Sequence, residues 1–218
     1  MSDNVNSIRL APGIRALAAK LGDAAANIAS ERKESLERLA AITARHLRES
    51  GEAALTFICT HNSRRSHLSQ VTAQMAAVYQ ELDGIHCFSG GTEATACNPR
   101  TVAAFERAGF AVTASGNSEN PVYSISIADQ GEPLELWSKV YDQDGNPTTG
   151  YVAVMTCTHA DENCPVVAGA DDRVSLPFVD PKVADDTPEE SATYDERLRE
   201  IGSQMFWLMA EVKKSLEN

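Results

Sequence analysis

The segment that most constrains this chain is Leu55-Thr-Phe-Ile-Cys59, a short, nearly continuous apolar run that ends on a cysteine. Such a run reads as a strand buried inside a parallel sheet. A polar loop, Thr60 to Ser63, follows it, then helical patterning from Arg65 to Gln80. Ile85–Ser89 reads as a second short strand closed by a Gly90-Gly91 turn, and Pro99–Ala108 as a second helix ended by Gly109. Alternation of strand and helix argues for a parallel α/β sheet. Further on, Val122–Ala128 and Leu134–Tyr141 read as a hairpin, with Gly131 and Pro133 between them. Asp142–Gly150 is a polar turn region, and Tyr151–Met155 a third buried strand. A loop carrying Cys157, His159 and Cys164 comes next, then a last strand at Val174–Phe178 and a long helix over Pro188–Leu216.

Residues 1–52 differ from the rest, with no cysteine and no aromatic residue. Leu36, Leu39, Ala40, Thr43 and Leu47 fall on one face of a helix from Ser30 to Ser50. Ser30 is placed to cap it, Glu31 to meet the positive end of its dipole, and Gly51 to stop it. A shorter helix from Pro12 to Ile28 precedes it. Two such helices pack on the body or on a second subunit, and a homodimer through them is one arrangement they allow. The division expected is a helical extension, 1–52, and a catalytic domain, 53–218.

Net charge is −12, a field that repels nucleic acid and anionic membrane surfaces. No apolar run approaches the roughly 20 residues of a membrane-spanning helix. Met1–Ser7 is polar and lacks the layout of a secretory signal, so the expected location is the cytoplasm. The cysteines are Cys59, Cys87, Cys97, Cys157 and Cys164. An odd number without C-x-x-C argues against a disulfide framework and against zinc-finger spacing, and no metal site is expected.

Chemistry concentrates after the first strand, in Cys59-Thr60-His61-Asn62-Ser63-Arg64-Arg65-Ser66. A loop that wraps into a helix N-terminus turns several backbone N–H groups toward one point, which suits an oxyanion. Arg65 can grip two oxygens of a tetrahedral anion as a planar fork. The same positive field favours the thiolate of Cys59, and a thiolate beneath a bound oxyanion is a nucleophile in attack position. Ser66 can donate to the sulfur, and Asn62 can brace the loop. Thr60, His61, Asn62, Ser63, Arg64, Arg65 and Ser66 are therefore the expected oxyanion-binding set.

This segment resembles the signature loop of the low-molecular-weight protein tyrosine phosphatases, and is especially similar to that of the thioredoxin-coupled arsenate reductases of the same superfamily. Ser89-Gly-Gly-Thr-Glu93, Asn98-Pro-Arg-Thr-Val102, Thr156-Cys157, Asn163-Cys164-Pro165 and Phe178-Val-Asp180-Pro181 extend the likeness over most of residues 54–214. The resemblance implies a three-layer α/β/α fold with a four-stranded parallel sheet, here with an inserted β-hairpin and the N-terminal helices added. It implies a relay in which Cys59 attacks arsenate, Cys157 attacks Cys59, and Cys164 moves the disulfide to Cys157–Cys164. Thioredoxin, an external reductant and not a tightly bound cofactor, then reduces that pair. Asp180 would protonate the leaving oxygen.

The chain also departs from the pattern. His61 stands where the usual residue is Gly, Arg64 where a small residue or Cys is common, and Gln70 where many of the reductases carry a potassium-binding Glu. Cys87 and Cys97 match no role and read as packing thiols. His159 reads as a solvated loop residue. The alternative activity is a phosphatase acting on phosphotyrosine or small phosphate esters through a phosphocysteine at Cys59. Read alone, Cys157 and Cys164 are equally small apolar residues, or guards of the nucleophile against oxidation.

Overall fold

A computed structural model describes residues 9–116 and 119–218; the reading of Met1–Ser7 lies outside them. Four strands form one all-parallel sheet: β1 (Ala53–Cys59), β2 (Ile85–Gly91), β6 (Tyr151–Met155) and β7 (Ala170–Ser175), in the order β2-β1-β6-β7. The apolar run thus becomes an inner strand, buried along almost its whole length. A second, antiparallel sheet joins β3 (Ala111–Ser115), β4 (Val122–Ser126) and β5 (Leu134–Leu136).

The helices are α1 (Pro12–Ala25), α2 (Ser30–Ser50), α3 (Arg65–Tyr79), α4 (Pro99–Arg107), α5 (Thr158–Asn163) and α6 (Glu190–Glu217). They cover the parallel sheet unequally. On one face Leu55, Phe57, Val152, Val154 and Val174 join a large core with α1, α2, α3, α4 and α6. The other face, with Ile58, Ala153 and Met155, is covered by the short α5, Val167 and Tyr141. Helix α3 is buried on most of its sides, which only a helix wedged between sheet and helices tolerates. Leu36, Leu39 and Ala40 of α2 and Ile14, Ala18 and Leu21 of α1 enter the same core.

Several expectations change. The Gly90-Gly91 turn is the end of β2, since both residues pair in register with Ile58 and Cys59. A side chain on Gly91 would meet the carbonyls of Glu93 and Thr60 and the Asn62 amide, so only glycine fits. Ser30 does not cap α2: it is the first helical residue, and Ala29 stands at the cap without a side-chain bond. Gly51 does end α2, in the left-handed region at φ 80°. The hairpin exists, but its second strand is only Leu134–Leu136, and β3 was not expected. Its residues are mostly exposed, so no apolar pattern announces it. The last strand lies at Ala170–Ser175, N-terminal to the apolar stretch read as strand, because pairing with β6 places the charged Asp172 and Arg173 in the ladder. The loop expected after β6 contains α5, capped by Cys157 itself.

Candidate active site

The loop between β1 and α3 sits at the carboxyl end of an inner strand, where the sheet opens. Cys59 is 3% exposed, and its Sγ lies 3.1 Å from Ser66 Oγ. Asn62 is in the left-handed region at φ 44°, a strained position for a residue with a side chain. It is held there from two directions. Its Nδ2 donates to Ser66 Oγ at 2.9 Å, and its Oδ1 accepts the Lys139 amide at 3.0 Å. With Asn62 donating to its oxygen, the Ser66 hydroxyl has its own proton to offer a thiolate at Cys59.

The rest of the loop is tied down through its carbonyls. The Cys59 and Thr60 carbonyls accept the amides of Thr92 and Glu93, the His61 carbonyl accepts Ser138 Oγ, and the Ser63 carbonyl accepts the Asn98 amide. Among the described residues no group accepts from the backbone N–H of His61, Asn62, Ser63 or Arg64. Buried N–H groups are rarely left unpaired, so consecutive free donors at a helix N-terminus make a cradle for an anion.

The two loop arginines do different work. Arg65 donates from Nη2 to Asp180 Oδ2 at 2.7 Å and from Nη1 to the Phe178 carbonyl at 3.1 Å, while its Nε is buried without a partner. Arg64 turns toward α6: its Nε donates to the Tyr194 hydroxyl, which donates to Asp185, and it stands 3.9 Å from both Asp180 and Asp185. Asp180 Oδ1 caps a one-turn 3-10 helix at Pro181–Ala184 by accepting the Lys182 amide. Cys59, Ser66 and Arg65 are thus brought together, with Asp180 on the Arg65 fork.

The other two cysteines are placed differently from each other. Cys157 is 1% exposed, shares the thin apolar layer with Cys59, and its Sγ lies 3.5 Å from Thr60 Oγ1. It also accepts the Ala160 amide as the cap of α5. His159, expected to be a solvated loop residue, is exposed but lies on α5, with its Nδ1 3.3 Å from the same Thr60 hydroxyl. Cys164 stands at the far end of α5, its carbonyl bonded by Arg173. The six residues of α5 stand between Cys157 and Cys164, so seven helical steps of about 1.5 Å put their backbones roughly 10 Å apart. His61 is exposed and pairs with Glu93 at 3.6 Å. Burial pushes the Cys87 thiol up, and the Cys97 thiol up to about 12, which suits thiols that only pack.

Sequence reasoning missed the floor under the loop. His67 is fully buried, with Nδ1 3.1 Å from Ser89 Oγ, itself bonded to Gln70. Burial first, then the charge of Lys139, push His67 down to about 3, so it is neutral at pH 7. Lys139 is also buried, its Nζ 3.9 Å from the centroid of the Trp137 ring; burial lowers it to about 8. Lys139 lies 77 residues beyond Asn62, and no motif links them. Gln70, read as a departure from a potassium ligand, spends its carbonyl on Ser89.

No family model matches the chain, and no curated protein matches it. Solved structures similar to it include a low-molecular-weight phosphotyrosine phosphatase from Vibrio cholerae O395, 12% identical over 76% of this chain and 97% of that one, TM-score 0.47. Another is a low-molecular-weight protein tyrosine phosphatase from T. tengcongensis, 14% identical over 76% of this chain and 100% of that one, TM-score 0.46. A third is a YwlE mutant from Bacillus subtilis, 14% identical over 77% of this chain and 100% of that one, TM-score 0.43.

Proposed function

We propose that the chain is a cysteine-dependent phosphomonoesterase of the low-molecular-weight tyrosine phosphatase type. The observation that carries the reading is the row of free N–H groups from His61 to Arg64, in the loop that begins at Cys59 and ends at Arg65, with Asp180 on the Arg65 fork. A phosphoryl group seated there takes its equatorial oxygens onto the amides and the Arg65 fork. Cys59 Sγ, with the Ser66 hydroxyl 3.1 Å away, attacks phosphorus, and a proton from Asp180 goes to the departing ester oxygen. Water then attacks the phosphocysteine, giving its proton to Asp180, and phosphate leaves with Cys59 restored. Asp180 accepts a hydrogen bond from Arg65. An incoming dianion competes for that fork and releases the carboxyl toward the leaving group. This cycle uses groups already within reach of one another and needs no rearrangement of the fold.

A second reading, arsenate reduction with thioredoxin as the reductant, is favoured by one observation: Cys157 Sγ lies beside Thr60, the residue next to Cys59. Passing the disulfide on to Cys164 requires α5 to unwind. Neither reading needs a membrane, and among the described residues no helix is long and apolar enough to cross one.

One experiment separates them. p-Nitrophenyl phosphate turnover is measured for the wild type and for Cys59→Ser, Cys157→Ser and Cys164→Ser, and free thiols are counted after arsenate without reductant. The phosphatase reading expects Cys59→Ser alone to lose turnover and arsenate to consume no thiols. Loss of two thiols per chain, dependent on Cys59, together with thioredoxin-coupled NADPH consumption, would establish the reductase instead.

A further inference from the structure

We propose that Arg32, on α2 of the N-terminal segment, is a positioning residue for the Asp180 loop; the proposal rests on the hydrolase reading of the site. Of residues 177–180 only Phe178 is buried, at 5% exposure, while Val179 beside it is 60% exposed. Phe178 is therefore the inward anchor on the N-terminal side of the acid, as the buried Pro181 is on the other. Its backbone serves the site directly. The amide donates to the Thr156 carbonyl at 3.0 Å, and the carbonyl accepts Arg65 Nη1 at 3.1 Å. Two residues on, Asp180 takes the other arm of the same guanidinium.

The Phe178 ring is covered by the Arg32 guanidinium, whose carbon lies 4.8 Å from the ring centroid. That cation is not free to swing. Its Nε and Nη2 both donate to Oε1 of Gln204, a buried residue of α6, at 3.1 and 2.9 Å. A planar cation held by two of its N–H groups on one amide oxygen and laid over an aromatic face restrains the ring. The order of contact is Gln204, Arg32, Phe178, then Arg65 and Asp180. The helices added before the first strand thus reach the acid through one side chain. A proton donor displaced by a fraction of an ångström transfers less well, while an anion held by loop amides is bound as before.

The test uses the full chain with two substrates, phenyl phosphate and p-nitrophenyl phosphate. Phenolate leaves poorly without a proton, and p-nitrophenolate leaves readily. Arg32→Ala is expected to lower kcat for phenyl phosphate about 10-fold and for p-nitrophenyl phosphate less than about 3-fold, with KM for both within about 2-fold. Arg32→Lys, which keeps a cation over the ring, is expected to recover at least about half of the loss. Amide hydrogen exchange at Phe178 and Lys182 should quicken about 10-fold in Arg32→Ala and stay slow in Arg32→Lys. Leu47→Ala loosens the other end of α2, beside Gly84, and controls for simple loss of stability.

An equal fall on both esters, or the same pattern in Leu47→Ala, overturns the positioning role, and so does unchanged exchange at Phe178 and Lys182. If the wild type hydrolyses neither ester, the hydrolase reading fails, and the exchange measurement still decides whether Arg32 holds the loop.

Discussion

Two loops leave the same end of the parallel sheet from neighbouring strands, each beginning with a buried cysteine, and they are built in opposite ways. The one from Cys59 to Ser66 is over-determined. Asn62, Ser63 and Ser66 are buried, and bonds from Thr92, Glu93, Ser138, Lys139 and Asn98 fix its path. The one from Cys157 to Gly169 is held mainly by Arg173, which grips the Asp161 carboxylate and the carbonyls of Asp161 and Cys164, aided by Ser175, by Thr60 at its start and by the Tyr151 hydroxyl on the Ala168 carbonyl near its end. Past Cys164 it exposes Val166 at 82%. A site that stabilises charge in a transition state must keep its donors still. A segment that exchanges partners needs few bonds to break. The contrast teaches that the first loop is shaped by many neighbours and the second by few, with Arg173 the chief clamp.

The comparison breaks most severely at Cys59. Cys59→Ser should lower p-nitrophenyl phosphate turnover by about 10³-fold or more while inorganic phosphate still binds by calorimetry, because the cradle survives without the nucleophile. Loss of phosphate binding as well would mean that the cradle is not independent of the thiol.

Asn62→Ala comes next. It removes two side-chain bonds and leaves a left-handed backbone without its brace, so it should cost about 2–3 kcal/mol in urea unfolding. Turnover should fall about 10- to 100-fold. An Asn62→Gly variant, which fits the backbone but not the bonds, should recover part of the stability and little of the activity.

The buried bases under the first loop sharpen the contrast through pH. His67 is held down to about 3 in the folded chain, against an ordinary value near 6.5. Between those values the unfolded chain binds the extra proton, so stability rises with pH from about 3 to 6.5 and is lost on acidification. Lys139, lowered to about 8, acts with the same sign between about pH 8 and 10.5, where unfolded lysine alone is protonated. Unfolding midpoints in urea at a series of pH values check both. Lys139→Met should flatten the alkaline rise and, by removing the charge that adds to burial at His67, lessen the acid limb without abolishing it.

The smallest effect is expected at the clamp. Arg173→Ala should cost about 1–2 kcal/mol and speed alkylation of Cys164, with the Cys59 alkylation rate unchanged. If Cys59 also changes rate, the two loops are coupled and the contrast between them fails.

The elements that a sequence announces are those whose local pattern agrees with their burial. Leu55–Cys59, Tyr151–Met155 and the α2 face were legible for that reason, as was the loop, whose residues are contiguous. What stayed hidden depends on contacts far along the chain. Strand β3 carries no apolar pattern, and β7 keeps Asp172 in the ladder because Arg45 and His46 of α2 meet its carboxylate. In the site, Lys139, Tyr194 and Arg32 act through partners 77, 130 and 146 positions away, Asn62, Arg64 and Phe178 respectively. Such a distance leaves no spacing to read.

Strand β2 ends on two residues without side chains, and the space they leave is already taken. A carbon added to Gly90 would strike Tyr141, and one added to Gly91 would strike Thr60 and Asn62. The mould for the loop is therefore cast partly in hydrogen atoms. Neither glycine has a functional group, yet a substitution survey scored by turnover should find both about as unforgiving as the nucleophile. A search for function that followed chemical reactivity alone would pass over the wall against which the reactive groups are pressed.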